Sequence, residues 1–75
     1  MAPNRVTRAT AIATAKDYAK NHSKDAVRVQ VALYRDQLKS LNNAKQDASD
    51  DELKRLIDRI ADTRELLRAF EAEAK

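Results

Sequence analysis

Two stretches of this 75-residue chain carry large apolar residues at alternating spacings of three and four, and a polar segment separates them. The spacing averages about 3.5 residues, which is the repeat of helices that pack along their length. With a short connection, the two stretches are expected to form an antiparallel, coiled-coil-like helical hairpin. The positions that form it are Val27, Val31, Tyr34, Leu38 and Leu41, then Leu53, Leu56, Ile60, Leu67 and Phe70, with Thr63 in the one polar slot.

The composition favours helix along nearly the whole chain. Gly is absent, and the one Pro is Pro3, so no helix breaker follows it. The chain also has no Cys, and a lone His22 cannot form a metal site by itself. We therefore expect one all-α domain over residues 1–75, stabilised by helix packing or self-association and using no cofactor or metal.

Capping signals divide the chain into three helices. Ser23 is suited to begin the second helix, and Ser49-Asp50-Asp51-Glu52 fits a capping box in which Ser49 accepts a hydrogen bond from the N–H of Glu52. The expected helices cover residues 5–21, 24–44 and 50–73. The first is shorter and begins near Asn4 or Thr7, and it should complete a three-helix bundle at one end of the hairpin.

The first helix is expected to cover a second apolar stripe on the second helix. Its own apolar residues are mostly Ala, on a stripe that includes Ile12, and the stripe that it should cover is Ala26, Val29 and Leu33. A minor alternative takes Val6 to Ile12 as a β-strand, because β-branched residues alternate there. A ribbon-helix-helix DNA binder would have such a strand, but the Ala content weighs against it.

The main candidate binding surface is the end of the hairpin near residues 42–52, where only two helices are expected. The first helix is too short to reach it, so five large apolar side chains there lack a third wall. Such a patch usually marks an interface, and a homodimer is the simplest way to cover it. A simpler packing would pair the leucines with one another and leave only Ile57 partly open. The five residues are Leu38, Leu41, Leu53, Leu56 and Ile57.

Basic residues form the second candidate surface. Residues 1–46 carry nine basic and three acidic residues, whereas residues 47–75 carry six and nine. A row of cations can follow phosphates or an acidic protein, although it is more often a solvated helix face, and no aromatic residue is interleaved for base stacking. The row consists of Lys16 and Lys20 on the first helix and Lys24, Arg28, Arg35 and Lys39 on the second.

No arrangement of residues indicates catalysis. Asp58 and Asp62 each have an Arg three residues away, so surface ion pairs are expected there, and His22 is expected to cap a helix or face solvent. No apolar run suits a transmembrane helix or a secretory signal. The first 16 residues resemble a transit peptide in composition, but they continue without a break into the first helix. A soluble cytoplasmic protein is expected.

These observations favour a non-enzymatic protein interaction module, such as an adaptor or a small inhibitor, that also self-associates. Two alternatives remain open. The first is a nucleic-acid-binding regulator that uses the basic face of the first two helices, and the second is a structural oligomerisation subunit. Affinity for nucleic acid would fall steeply with salt, which separates the first alternative from the others.

Overall fold

The structure, a computed structural model, describes residues 5–75. It contains the helices α1 (Arg8–Asn21), α2 (Lys24–Ala44) and α3 (Asp50–Ala74), with a short 3-10 turn at Lys45–Asp47. No strand occurs within residues 5–75. The expected all-α class and three helices are confirmed, and the strand alternative is wrong, because the chain from Arg8 onwards is helical.

Each helix begins after a hydroxyl side chain that accepts a hydrogen bond from the backbone N–H three residues on. The donor-to-acceptor distances are 3.1 Å at Thr7, 3.2 Å at Ser23 and 3.4 Å at Ser49. These bonds satisfy N–H groups that have no partner within the first helical turn. The expected starts at Ser23 and Ser49 are confirmed. Of the two expected starts for α1, near Asn4 or near Thr7, the structure has the one at Thr7.

The core lies at the end of the molecule where all three helices meet. Phe70 on α3 is 2% exposed, and it packs in one cluster with small and β-branched residues of α1 and α2. Its ring centroid lies 5.5 Å from that of Tyr18 and 5.4 Å from that of Tyr34, within the range of favourable aromatic pairs. The other buried members of the cluster are Ala11, Ala15, Val27, Val31 and Ala69.

The N-terminal half of α2 lies beside the C-terminal half of α3. Arg35 donates to the carboxylate of Glu71 at 2.7 Å, and the ammonium of Lys24 donates to the backbone oxygen of Lys75. The short 3-10 turn connects the opposite ends of the two helices. No helix within residues 5–75 combines the length and the apolar character needed to cross a bilayer.

Helix α1 packs mainly on α3 and barely touches α2. The expectation that it covers the second apolar stripe of α2 is therefore wrong: Val29 is 56% exposed and Leu33 is 49% exposed. The Ala side chains of α1 allow it to sit close to α3, and this orientation leaves Ile12 40% exposed at the edge of the contact. The open side of α2 is the main difference from the architecture expected from the sequence.

Candidate protein interface

A groove runs between α2 and α3. Its upper part is a cavity of about 380 Å³ lined by residues of both helices. Its lower part is a cavity of about 290 Å³. Arg59 lines both cavities. The upper lining is Leu33, Asp36, Gln37, Ser40, Leu41, Arg59 and Thr63, and the lower lining is Ala44, Glu52, Arg55, Leu56 and Arg59.

The groove is lined by large apolar side chains and by polar and charged ones. Leu33, Leu41 and Leu56 supply large apolar side chains, and Thr63 is 8% exposed. Asp36 on the α2 wall and Arg59 on the α3 wall carry opposite charges. Neither of them forms an ion pair within residues 5–75. An apolar centre with a polar rim is the usual composition of a protein interface.

The five interface residues expected from the sequence are unevenly exposed. Leu38, Leu41, Leu53 and Leu56 are half-buried. Ile57 is 51% exposed and is not among the residues that line the groove. It follows Leu56 directly, and consecutive helical residues point about 100° apart, so Ile57 faces a different side of α3. Of the five, Leu41 and Leu56 line the groove and Ile57 does not.

Two acidic residues of α3 hold the segment that precedes α1. The guanidinium of Arg5 donates to Asp58 at 2.9 Å and to Asp62 at 3.0 Å, and the backbone N–H of Val6 also donates to Asp62. The hydrogen bond that Arg5 donates to Asp62 raises the pKa of Arg5. The sequence suggested partners within α3, three residues from each carboxylate. The observed partner is instead distant in the chain, because α1 runs alongside α3.

Several residues of the basic row already have partners within the chain. Within the described part of the chain, Lys24 donates to the backbone oxygen of Lys75. Arg28 pairs with Asp25, and Arg35 pairs with Glu71. Arg28 and Arg35 line another cavity, of about 460 Å³. The remaining members of the row are the exposed side chains of Lys16, Lys20 and Lys39.

His22 lies at the end of α1, where its ring caps the helix. Its Nδ1 is 2.9 Å from the carbonyl oxygen of Tyr18, and its ring stacks on the Tyr18 ring at a centroid distance of 3.8 Å. The capping role expected from the sequence is confirmed. No group of three or more metal-binding side chains is brought together within residues 5–75.

Sequence reasoning did not bring Leu33, Arg59 and Thr63 together, although all three line the upper cavity. Leu33 belongs to a recognised apolar stripe, but α1 was expected to cover it. The charges carried a signal for the position of α1. Arg5 precedes α1 and Arg8 begins it, and the middle of α3 contains several acidic residues. Arg8 lies 3.9 Å from Glu65, which extends the Arg5 contacts along α3.

No known protein family, curated protein or solved structure matches this chain.

Proposed function

We propose that this chain is a non-enzymatic protein interaction module that self-associates through the α2–α3 groove. In this proposal α2 and α3 form an antiparallel, coiled-coil-like hairpin, and α1 completes a three-helix bundle at one end. The module acts in the cytoplasm as an adaptor or a small inhibitor, and it binds another protein through an apolar helical surface. A homodimer is its resting form.

The half-exposed Leu33 is the single observation that supports the proposal most. It is 49% exposed at the mouth of a groove that also contains Leu41. Val29, one turn earlier in α2, extends the apolar surface and is 56% exposed. Covering each buried methylene of such side chains contributes about 0.8 kcal/mol, so a partner that fills the groove gains several kcal/mol.

Sedimentation equilibrium at micromolar concentration tests self-association. The wild-type protein should have a mass well above the 8.5 kDa of one chain. Leu33→Asp should weaken association at least tenfold, because the contact would bury an unpaired charge. A wild-type protein that stays at the mass of one chain would refute the homodimer.

Ile57→Asp is a matched variant, because Ile57 is 51% exposed and Leu33 is 49% exposed. The two substitutions add the same charge at similarly exposed positions on different sides of the molecule. Loss of association in Leu33→Asp but not in Ile57→Asp supports the groove. The reverse result would move the interface to the side of α3 that carries Ile57.

Nucleic-acid binding is the second candidate, and the cavity lined by Arg28 and Arg35 favours it. It ranks lower because both guanidinium groups already pair with carboxylates of the chain. Fluorescence anisotropy with labelled duplex DNA and RNA at several salt concentrations tests it. Binding whose affinity falls steeply with salt, and which Arg28→Gln and Arg35→Gln weaken, would favour this candidate.

A structural oligomerisation subunit is the third candidate. It differs from the first in needing no partner other than copies of this chain. Affinity capture with the wild-type protein and with Leu33→Asp distinguishes the two. A different protein that binds the wild type and not the variant supports the interaction module, whereas recovery of this chain alone supports the oligomerisation subunit.

A further inference from the structure

A second stripe of residues at alternating spacings of three and four runs along α3, beside the stripe that forms the core. Residues with this spacing lie on one face of a helix, and at about 1.5 Å per residue the stripe is about 21 Å long. Its members are Lys54, Ile57, Ala61, Arg64 and Arg68, of which Ala61 is half-buried and the other four are exposed. We call these five residues the outer stripe of α3.

The outer stripe is positively charged, although α3 as a whole is acidic. Helix α3 carries five basic and eight acidic residues, but four of its carboxylates pair with arginines from elsewhere in the chain. These pairs are Asp58 and Asp62 with Arg5, Glu65 with Arg8, and Glu71 with Arg35. The three cations of the outer stripe form no ion pair within residues 5–75. The packing of the other helices thus neutralises acidic residues of α3 and leaves this face with uncompensated positive charge.

The middle of the outer stripe is apolar. Ile57 is 51% exposed, and Ala61, one turn later, has a side chain small enough for a second helix to lie close to it. At the C-terminal end, Arg68 lines a cavity of about 130 Å³ together with Ile12, which is 40% exposed and extends the apolar surface. An apolar centre between charged ends is the composition of a surface that binds an amphipathic helix.

We propose that the outer stripe of α3 binds an acidic amphipathic helix of a partner protein. The apolar face of that helix covers Ile57 and lies against Ala61. Its carboxylates pair with Lys54 at one end of the stripe and with Arg64 and Arg68 at the other. The outer stripe lies on a different side of α3 from the α2–α3 groove, so this binding does not depend on the proposed self-association.

A nucleic acid fits the outer stripe less well than an acidic helix does. Phosphates could pair with the cations, but they would leave the apolar side chain of Ile57 uncovered. Asp50 and Asp51 lie one turn before Lys54, where they would repel a phosphate backbone that continues along α3. A partner helix of about four turns ends before it reaches these carboxylates.

A synthetic acidic peptide is the probe that tests the proposal. It is a fluorescently labelled helical peptide of about 18 residues, with Leu and Ala at alternating spacings of three and four and Glu on both sides of that stripe. Fluorescence anisotropy should show saturable binding to the wild-type protein. Replacing every Glu of the peptide with Gln, or every Leu with Ser, should raise the dissociation constant about tenfold or more, because each change removes one half of the complementarity.

Variants of the chain locate the binding surface. The double variant Lys54→Glu/Arg64→Glu should raise the dissociation constant of the peptide about tenfold or more, because it sets like charges together at both ends of the stripe. Ile57→Asp should have a similar effect, because it places an unpaired charge in the apolar centre. Circular dichroism verifies that each variant stays helical.

Two control variants carry the same chemical changes elsewhere. Lys16→Glu/Lys20→Glu makes the same change of net charge at exposed positions of α1. Leu33→Asp adds a charge at a side chain that is 49% exposed, close to the 51% of Ile57. Both controls should bind the peptide within about threefold of the wild-type dissociation constant.

Each other outcome contradicts a different claim. A wild-type protein that does not bind the acidic peptide, or equal losses in the stripe variants and the controls, would overturn the proposal. Binding of labelled duplex DNA that is tighter than that of the peptide, lost in Lys54→Glu/Arg64→Glu and kept in Ile57→Asp, would assign the stripe to nucleic acid instead. A protein that is monomeric and still binds the peptide would refute self-association and leave this site standing.

Discussion

Tyr34 links the packing of the core to the pH dependence of stability. Its ring lies against Phe70 with a centroid distance of 5.4 Å, and the side chain is half-buried. Burial raises the pKa of the Tyr34 hydroxyl, and the nearby Tyr18 adds a smaller contribution in the same direction. The folded protein therefore holds the neutral phenol more strongly than the unfolded chain does.

The raised pKa predicts a loss of stability at alkaline pH. The unfolded chain begins to lose the Tyr34 proton near pH 10, before the folded protein does, so this contribution is complete below about pH 10 and is lost above it. Tyr34→Phe removes the titrating group. The free energy of unfolding should fall less between pH 8 and pH 11 in Tyr34→Phe than in the wild type, as measured by urea denaturation. Lysine titration affects both proteins alike, and parallel pH profiles would contradict the assignment.

At the scale of the helix, Ser49 shows how a local signal fixes one boundary. Its hydroxyl accepts from the N–H of Glu52 at 3.4 Å, the longest of the three N-cap bonds. Asp50, Asp51 and Glu52 lie in the first turn, where the helix dipole favours negative charge. These features begin α3 independently of the tertiary packing.

Ser49→Ala should lower the free energy of unfolding by about 0.5–1 kcal/mol, the lower part of the range for N-cap loss, because the hydrogen bond is long. Urea denaturation measures the change. Ser40→Ala is a matched control inside α2, where the same substitution improves helix propensity and should slightly raise stability. Equal effects at both positions would mean that the Ser49 hydroxyl does not stabilise α3.

The position of α1 depends on contacts with α3 as well as on its own sequence. The Ala-rich face of α1 buries little area per residue, and α1 is too short to be stable alone. Arg5 bonds to two carboxylates of α3, at Asp58 and Asp62. These contacts hold the start of α1 against α3.

Arg5→Ala should loosen α1 more than the rest of the molecule. Backbone amides of α1 should exchange with deuterium faster than in the wild type, whereas those in the middle of α3 should change little, because local opening of α1 does not require global unfolding. Hydrogen exchange with mass spectrometry measures both. Arg8→Ala is the control, since Arg8 lies 3.9 Å from Glu65 with a side chain that is 69% exposed. Uniform acceleration in all three helices would contradict this separate role.

At the scale of the whole molecule, the proposed association through the groove predicts that stability depends on protein concentration. A chain of 75 residues buries a smaller share of its surface than a large protein does. Two large apolar side chains of α2, Val29 and Leu33, remain about half exposed. Dimerisation would cover them. The folded state would then be favoured by mass action as the protein concentration rises.

The melting temperature of the wild type should therefore increase with protein concentration, whereas that of Leu33→Asp should not. Differential scanning calorimetry over a hundredfold concentration range measures the difference. A wild-type melting temperature that is independent of concentration would contradict coupling between folding and association. A dependence retained in Leu33→Asp would place the association outside the groove.

The sequence alone determined the features that depend on neighbours along the chain. The apolar spacing and the absence of Gly predicted the helices, and the hydroxyl caps at Ser23 and Ser49 predicted where α2 and α3 begin. The aromatic core positions Tyr34 and Phe70 followed from the same spacing. Each of these signals acts within one helical turn or along one helix face, so no tertiary information was needed.

Only the tertiary structure decided where α1 lies, and with it which surface stays open. The apolar stripe of α2 that includes Leu33 is compatible with cover by α1 or by a second chain, because periodicity identifies an apolar face but not its partner. The choice depends on the contacts of Arg5 with Asp58 and Asp62, which join positions more than fifty residues apart. Such pairings form only when the helices pack together, and they leave no periodic pattern in the sequence.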